Sequence, residues 1–479
     1  MTGGYLDAAS GLPWHPAAEA AVQAALADGW ADPSRLTGAG RRSAVLLDAA
    51  RAAVAAEFAV QPDEVVFAPS GSHALQLAVL GCLAARRRAG RTLVHSAVEH
   101  SAVFRAADWH AERGGTVQVV GVDGTGRVSA ERFLAAATGS GVAAAVLQAA
   151  NHEVGTRQPV TEVAAGLRTA GPAAVPLVVD AGHELVYGSA PSAPVVAADA
   201  RLWGGPAGVG ILVVRRGTRW QPPFPVDESE AGRALGVPNV PAVVGAAAAL
   251  RATRADRAAH GRRLADYVDQ LRRRVPELVP DTVVLGADED RLPHMVTFSC
   301  LYVDGEALLT EFDRHGFEVS SGSSCTSDRL VPSHVLVAMG ALTSGNVRIS
   351  LHPGTDQADI DRFLAVLPEA VSRVRAAVPA GGPARTPCPV GQGTPVGQGT
   401  PAEEPPPGDT TVVDSRGRRC PLPVLDLARA LPGVEVGAEL TVLADDPAAA
   451  NDIAAWCRMT GQQLVAADDL GRYRVRRLR

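Results

Sequence analysis

The 479-residue chain has no lysine, so all 45 of its basic residues are arginine. Lysine is ordinarily among the commonest residues, and a G- and C-rich genome lowers its share without removing it. The chemical consequence is definite. No ε-amine exists to form a Schiff base, and a guanidinium stays protonated and cannot replace one. Charge of one sign does not accumulate either: the formal net charge is -6. The triplets Arg86-Arg87-Arg88 and Arg272-Arg273-Arg274 read as solvated helix faces, so no direct nucleic-acid partner is expected. No apolar run reaches the roughly 18 residues of a membrane span. Met1-Thr2-Gly3-Gly4 lacks the charged-then-apolar pattern of a secretory signal. The expectation is a cytoplasmic enzyme without a membrane partner.

Cysteine is sparse and scattered. The six (Cys82, Cys300, Cys325, Cys388, Cys420 and Cys457) form no C-x-x-C pair and no metal-finger spacing, which excludes a disulfide framework in a chain of this size. Cys82 and Cys300 sit in apolar stretches and read as core thiols. Cys325 and Cys420 have different surroundings.

Three regions follow from composition. Residues 1–376 alternate apolar strands (64–67, 92–95, 143–148, 176–180, 210–214) with helical stretches such as 72–88 and 161–169. That is the pattern of a mostly parallel sheet covered on both faces. Residues 377–409 repeat Pro-Val-Gly-Gln-Gly-Thr and contain Glu403-Glu404-Pro405-Pro406-Pro407. This stretch cannot build a core and is expected to be a flexible tether, in which Cys388 is incidental. Residues 410–479 read as a small two-layer α/β domain: strands at 411–414 and 439–444, helices at 421–431 and 447–459, and a strand-like end.

Two cysteines carry motifs. Cys325 stands in Ser320-Ser321-Gly322-Ser323-Ser324-Cys325-Thr326-Ser327, a run of small residues before a helix. Such a loop suits a nucleophile that must visit first a substrate and then an acceptor. Cys420 stands in Cys420-Pro421-Leu422-Pro423, a C-P-x-P motif at a strand-to-helix junction. Proline is tolerated in a first helical turn. The helix dipole with Arg418 and Arg419 is expected to lower the thiol pKa and favour thiolate or persulfide. Cys457 reads as packing.

Residues 4–376 resemble the cysteine desulfurases of the class V aminotransferase fold, the branch with the long cysteine loop. The resemblance rests on Tyr5-Leu6-Asp7-Ala8-Ala9, Val98-Glu99-His100, Asn151-His152-Glu153-Val154-Gly155, Val179-Asp180-Ala181, Gly204-Gly205-Pro206, Val347-Arg348 and the Cys325 loop. It implies the pyridoxal-phosphate (PLP) transferase fold type I, a homodimer, and L-cysteine as sulfur source. It further implies that His100 stacks on the cofactor ring and shuttles protons, and that Asp180 bonds the pyridine nitrogen. Arg348 would clamp the substrate carboxylate, and Cys325 would attack the substrate sulfur to form a persulfide. Residues 410–479 resemble the TusA-like sulfur carriers, with Cys420 as the carrier thiol and Ala444-Asp445-Asp446-Pro447 to Asp452-Ile453, through Trp456-Cys457, extending the match.

The departures fall on cofactor positions. The family's Schiff-base lysine aligns with Leu202, or with Arg201 after a one-residue shift. A phosphate-binding Ser is Asp199, and a Thr contributed across the dimer is Val237. The Asn facing the ring's phenolic oxygen is His152, the neighbouring Gln is His183, and a Glu of the phosphate loop is His73. Ser70, Gly71 and Ser72 still offer a helix N-terminus to an anion, and Arg201 could compensate in part. Imidazoles at His73, His100, His152 and His183 open a zinc alternative, but no HxxxH-type spacing supports ligation, and no metal ligands are assigned.

Three readings therefore stand. The first is a fused desulfurase and carrier passing sulfur from Cys325 to Cys420 and on to a downstream acceptor protein. The second is a degenerate scaffold that takes persulfide from a separate donor. The third is an enzyme holding PLP without a covalent link.

Overall fold

The computed structural model describes residues 4–169, 174–321, 332–377 and 411–479. Its centre is a seven-stranded sheet of β1 (Val65–Ala68), β2 (Thr92–Ser96), β3 (Thr116–Val120), β4 (Val142–Val146), β5 (Leu177–Asp180), β6 (Val195–Asp199) and β7 (Gly210–Val214), in the order β1-β7-β6-β5-β4-β2-β3. Strand β7 runs antiparallel to both neighbours, and every other pair is parallel. Every residue of β4 and β7 is buried, as a sheet covered on both faces requires. The side chains alternate between two cores. Val65, Phe67, Ile211 and Val213 join one apolar cluster, and Val66, Ala68, Leu212 and Val214 join the other.

A second, antiparallel sheet holds β8 (Thr282–Leu285), β9 (Met295–Cys300) and β10 (Asn346–Ser350), in the order β10-β9-β8. It packs on the Gly305–Arg314 and Gln357–Ala377 helices through Phe298, Phe312 and Phe363. The Val240–Leu278 helix ties the two sheets together. Its first turns, from Val240 to Leu250, sit in the large-sheet core, and Leu264, Val268 and Leu271 sit in the other. This is the two-part α/β architecture that the sequence predicts, with Cys82 and Cys300 fully buried as core thiols.

The C-terminal domain contains β11 (Thr411–Asp414), β12 (Glu439–Leu443), β13 (Gln463–Ala467) and β14 (Arg472–Arg476), in the order β11-β12-β14-β13. Burial alternates along β12 and β14, so one face of this sheet is covered and the other meets solvent. The helices expected over 421–431 and 447–459 are observed at Leu422–Ala430 and Ala449–Thr460 and supply the cover. Cys457 is buried in that layer, as expected of a packing residue. Among the described residues no helix is long and apolar enough to cross a membrane. Apart from Ala377, the 377–409 stretch with Cys388 lies outside the described residues, and so does Cys325.

Candidate active site: a histidine pocket and a carrier thiol

Strands β2, β4, β5 and β6 are mutually aligned, so their C-terminal ends open on one edge of the sheet. That is where α/β folds bind ligands. Asp180 ends β5, and its Oδ1 accepts the Gly182 N–H at 3.0 Å. His100 caps the Ser101–Glu112 helix, its Nδ1 accepting the Ala102 N–H at 3.2 Å. That bond leaves the Nε2 edge to carry the proton of the neutral ring. His152 lies in the turn after β4 and His183 in the turn after β5. The His152 ring centre is 5.6 Å from His100, 6.4 Å from His183 and 6.2 Å from His334. The structure thus gathers His100, His152 and His183, and adds His334, which the family motifs did not single out. His73 is placed on the first turn of the Gly71–Arg86 helix, where its N–H bonds Ser70 Oγ at 3.1 Å.

Burial, then the neighbouring imidazoles, pushes the His152 pKa well below the ordinary histidine value. Burial, then His294, does the same for His183. Crowded neutral imidazoles result. Burial acts oppositely on the acids beneath them: Asp180 is raised, Glu99 is pushed up to about 8 and Glu153 to about 7. Glu153 Oε2 accepts the Ser333 hydroxyl at 2.6 Å, and His334 Nε2 meets the Glu99 carbonyl at 2.9 Å. Both contacts anchor the chain just after the cysteine loop. Arg348 anchors it before the loop, through paired backbone bonds with Ser320. Among the described residues no group of three or more His, Cys, Asp or Glu side chains is arranged to hold a metal ion.

The grips expected for cofactor and substrate are occupied by the protein itself. Asp199, at the end of β6, places Oδ2 3.1 Å from the Gly71 N–H, at the helix N-terminus. Its other oxygen accepts from the Arg201 backbone at 3.0 Å, and the Arg201 guanidinium pairs with the same carboxylate. Glycine at 71 permits this approach, since a Cβ there would lie 2.4 Å from the Asp199 Cβ. Leu202 packs against the first core, and its Cδ1 would be 2.9 Å from a Cβ on Gly182, beside Asp180. Arg348 spends one terminal nitrogen on the His152 carbonyl at 3.0 Å. The other goes to Asp7 Oδ1 at 2.8 Å and Ser10 Oγ at 2.9 Å.

In the C-terminal domain Cys420 is partly buried ahead of the Leu422–Ala430 helix. The expected lowering of its pKa is not found. Burial, then the Asp452 and Asp446 carboxylates, raises the thiol instead. Arg418 is engaged elsewhere, in a 2.7 Å pair with Asp426. Sequence reasoning missed Asp446 and Asp452 as thiol neighbours, although both lie inside the motif it used.

Residues 4–363 match the aminotransferase class-V family model, and residues 411–477 match the sulfurtransferase TusA model. The chain belongs to the class-V aminotransferase family and carries a TusA domain fused at its C-terminal side. Within that family its relatives are cysteine desulfurases. That of Cereibacter sphaeroides is 35% identical over 384 residues, covering 79% of this chain and 98% of the relative. The IscS-like cysteine desulfurase of Mycobacterium tuberculosis is 34% identical over 395 residues, covering 80% of this chain and 100% of the relative. Among solved structures, a NifS-like protein aligns with a TM-score of 0.71 at 24% identity, over 77% of this chain and 99% of its own. DndA from Streptomyces lividans aligns with a TM-score of 0.62 at 26% identity, over 72% of this chain and 99% of its own.

The family's cofactor is PLP, and the residues present do not fit it. Its phosphate would have to displace the Asp199 carboxylate from the Gly71 N–H and then sit beside that charge. Two anions cannot share one helix N-terminus without strong repulsion. No amine stands at Leu202 or Arg201 to hold the aldehyde.

Proposed function

We propose that this chain is a sulfur relay that works without PLP. A persulfide from a separate donor is taken up on Cys325, passed to Cys420 and delivered to a downstream acceptor protein. The Asp199 carboxylate seated on the Gly71 N–H carries this reading, because it puts an internal anion where the phosphate of the family's cofactor would bind. The chemistry needs no cofactor. The Cys325 thiolate attacks the terminal sulfur of R–S–SH, the new S–S bond forms, and R–S⁻ leaves with the electron pair. The Cys420 thiolate then attacks the same terminal sulfur, and the Cys325 thiolate leaves. Each exchange moves one sulfur between thiols with no net redox change.

Fusion in one chain suits the hand-over, because it raises the effective concentration of acceptor near donor. We further propose that the chain acts as a homodimer, as its family does; the exposure of Leu36, Leu235 and Val237 supports this.

The test is labelling of the full chain with a persulfide donor and no pyridoxal compound, followed by peptide mapping. One added sulfur on Cys325, and then on Cys420, is expected. Cys325→Ser should leave Cys420 unlabelled at low donor concentration. Labelling of Cys420 that is indifferent to Cys325→Ser would overturn the relay order.

The desulfurase reading draws on one observation, the retention of His100 and Asp180 at the positions that would stack on and bond a cofactor ring. It requires a coloured, pyridoxal-loaded protein that releases alanine from cysteine.

A further inference from the structure

The carrier domain is seated on the large domain by a specific set of contacts. Asp452 is fully buried, and its Oδ1 accepts both the Thr343 N–H and the Thr343 hydroxyl at 2.8 Å. Its Oδ2 accepts the Ser344 N–H at 3.1 Å. Asn451 Nδ2 donates to the Ala341 carbonyl, Arg458 to the Gly340 carbonyl, and the Trp456 indole to Tyr302 Oη at 2.9 Å. Leu301 and Leu342 enter the carrier's own apolar cluster beside Val424 and Trp456. One face of the Ala449–Thr460 helix therefore carries most of the polar contacts.

In this position Cys420 faces a cavity of about 430 Å³ between the domains, with Glu311, Arg314, Arg373 and Ala377 on the far wall. Those residues belong to the Gly305–Arg314 and Gln357–Ala377 helices. None of His100, His152, His183, Asp180 and Arg348 lines that cavity. The thiol is thus presented to the outer helices of the second sheet and away from the histidine pocket. The charges on it agree with a resting thiol, since Asp452 and Asp446 both disfavour the thiolate.

We propose that Asp452 latches the carrier domain in a resting position that shields Cys420, and that the carrier must leave this position to accept or deliver sulfur. The inference takes Cys420 as the carrier thiol, as the relay does, but its test involves no sulfur transfer. Within the carrier Asp452 has only a marginal contact with Asn451 and an interaction with the Cys420 thiol, and its remaining hydrogen bonds end on Thr343 and Ser344 of the other domain. Removing the carboxylate should therefore open the interface without dismantling the carrier sheet.

The experiment is the rate of Cys420 alkylation by iodoacetamide in the full chain, read by peptide mass. Asp452→Ala should raise that rate roughly tenfold or more, because three charge-assisted hydrogen bonds are lost. Thr343→Val and Tyr302→Phe, made on the other side of the interface, should raise it by a smaller factor. Hydrogen exchange across β11 to β14 should stay protected in all three variants. Equal rates in wild type and variants would overturn the latch. So would acceleration confined to Asp452→Ala, because losing a carboxylate beside the thiol favours the thiolate without any domain movement, and so would lost protection of β11 to β14, which would mark unfolding of the carrier.

Discussion

The histidine pocket and the Cys420 site, the two places to which the proposed relay assigns sulfur chemistry, each have their charges closed up in a different way. In the pocket the closure lies within one domain. Asp199 fills the helix N-terminus, Arg348 is tied to Asp7 and Ser10, and Leu202 packs beside Asp180. At Cys420 the closure lies between domains and rests on a few hydrogen bonds to Thr343, Ser344 and Tyr302. A domain movement reopens it. The contrast separates a site closed by its own side chains from a site covered by another domain.

The largest effects fall on the thiols: Cys420→Ser should abolish delivery to any acceptor, and Cys325→Ser should abolish uptake, as read by sulfur labelling. Next comes reconstruction of the pocket. Asp199→Ser with Leu202→Lys should give a chain that takes up PLP and shows the visible absorbance of an internal Schiff base. Leu202→Lys alone should bind much more weakly, because the carboxylate still holds the Gly71 N–H. A double variant that stays colourless while the wild type colours would reverse the comparison.

A smaller effect concerns pH. Glu99 and Glu153 are raised in the folded state to about 8 and about 7, from an ordinary value of 4.5. Between those limits the unfolded chain has released protons that the folded chain retains. Their contribution to stability is therefore full below about pH 4.5 and is lost as pH rises through 7 to 8. The lowered His152 and His183 act in the opposite sense, losing stability as pH falls below the ordinary 6.5. From pH 6.5 to 8 the acids dominate, so the melting temperature should fall, and Glu99→Gln should flatten that fall. A wild-type melting temperature that climbs over this range would contradict the assignment. Smallest of all, Tyr302→Phe should weaken docking by about 1 kcal/mol, roughly fivefold in the ratio of docked to free carrier, as read by Cys420 alkylation.

The fold was legible because it is written in local pattern: unbroken apolar runs at β4 and β7, and a shift to alternation at β12 and β14. The positions of Asp180, His100, Leu202 and Cys420 were legible through ordered motifs. What escaped the sequence depends on distant partners. Asp199 meets Gly71 across 128 positions, and Asp452 meets Thr343 across 109. His334 joins His152 only because the chain after the cysteine loop folds back against Glu99 and Phe104. The Cys420 thiol shows the limit most clearly. Its helix and its arginines argued for a lowered pKa, but burial and then the Asp452 and Asp446 carboxylates outweigh both.

In the proposed relay, sulfur enters this chain as persulfide and without PLP. Alanine release from L-cysteine by the purified full chain, at saturating PLP and with a reducing thiol, tests it most directly. No alanine above the protein-free control is the result predicted, alongside normal persulfide uptake in the same preparation. Catalytic alanine release that disappears in Cys325→Ser would contradict the account and restore the chain to the desulfurases.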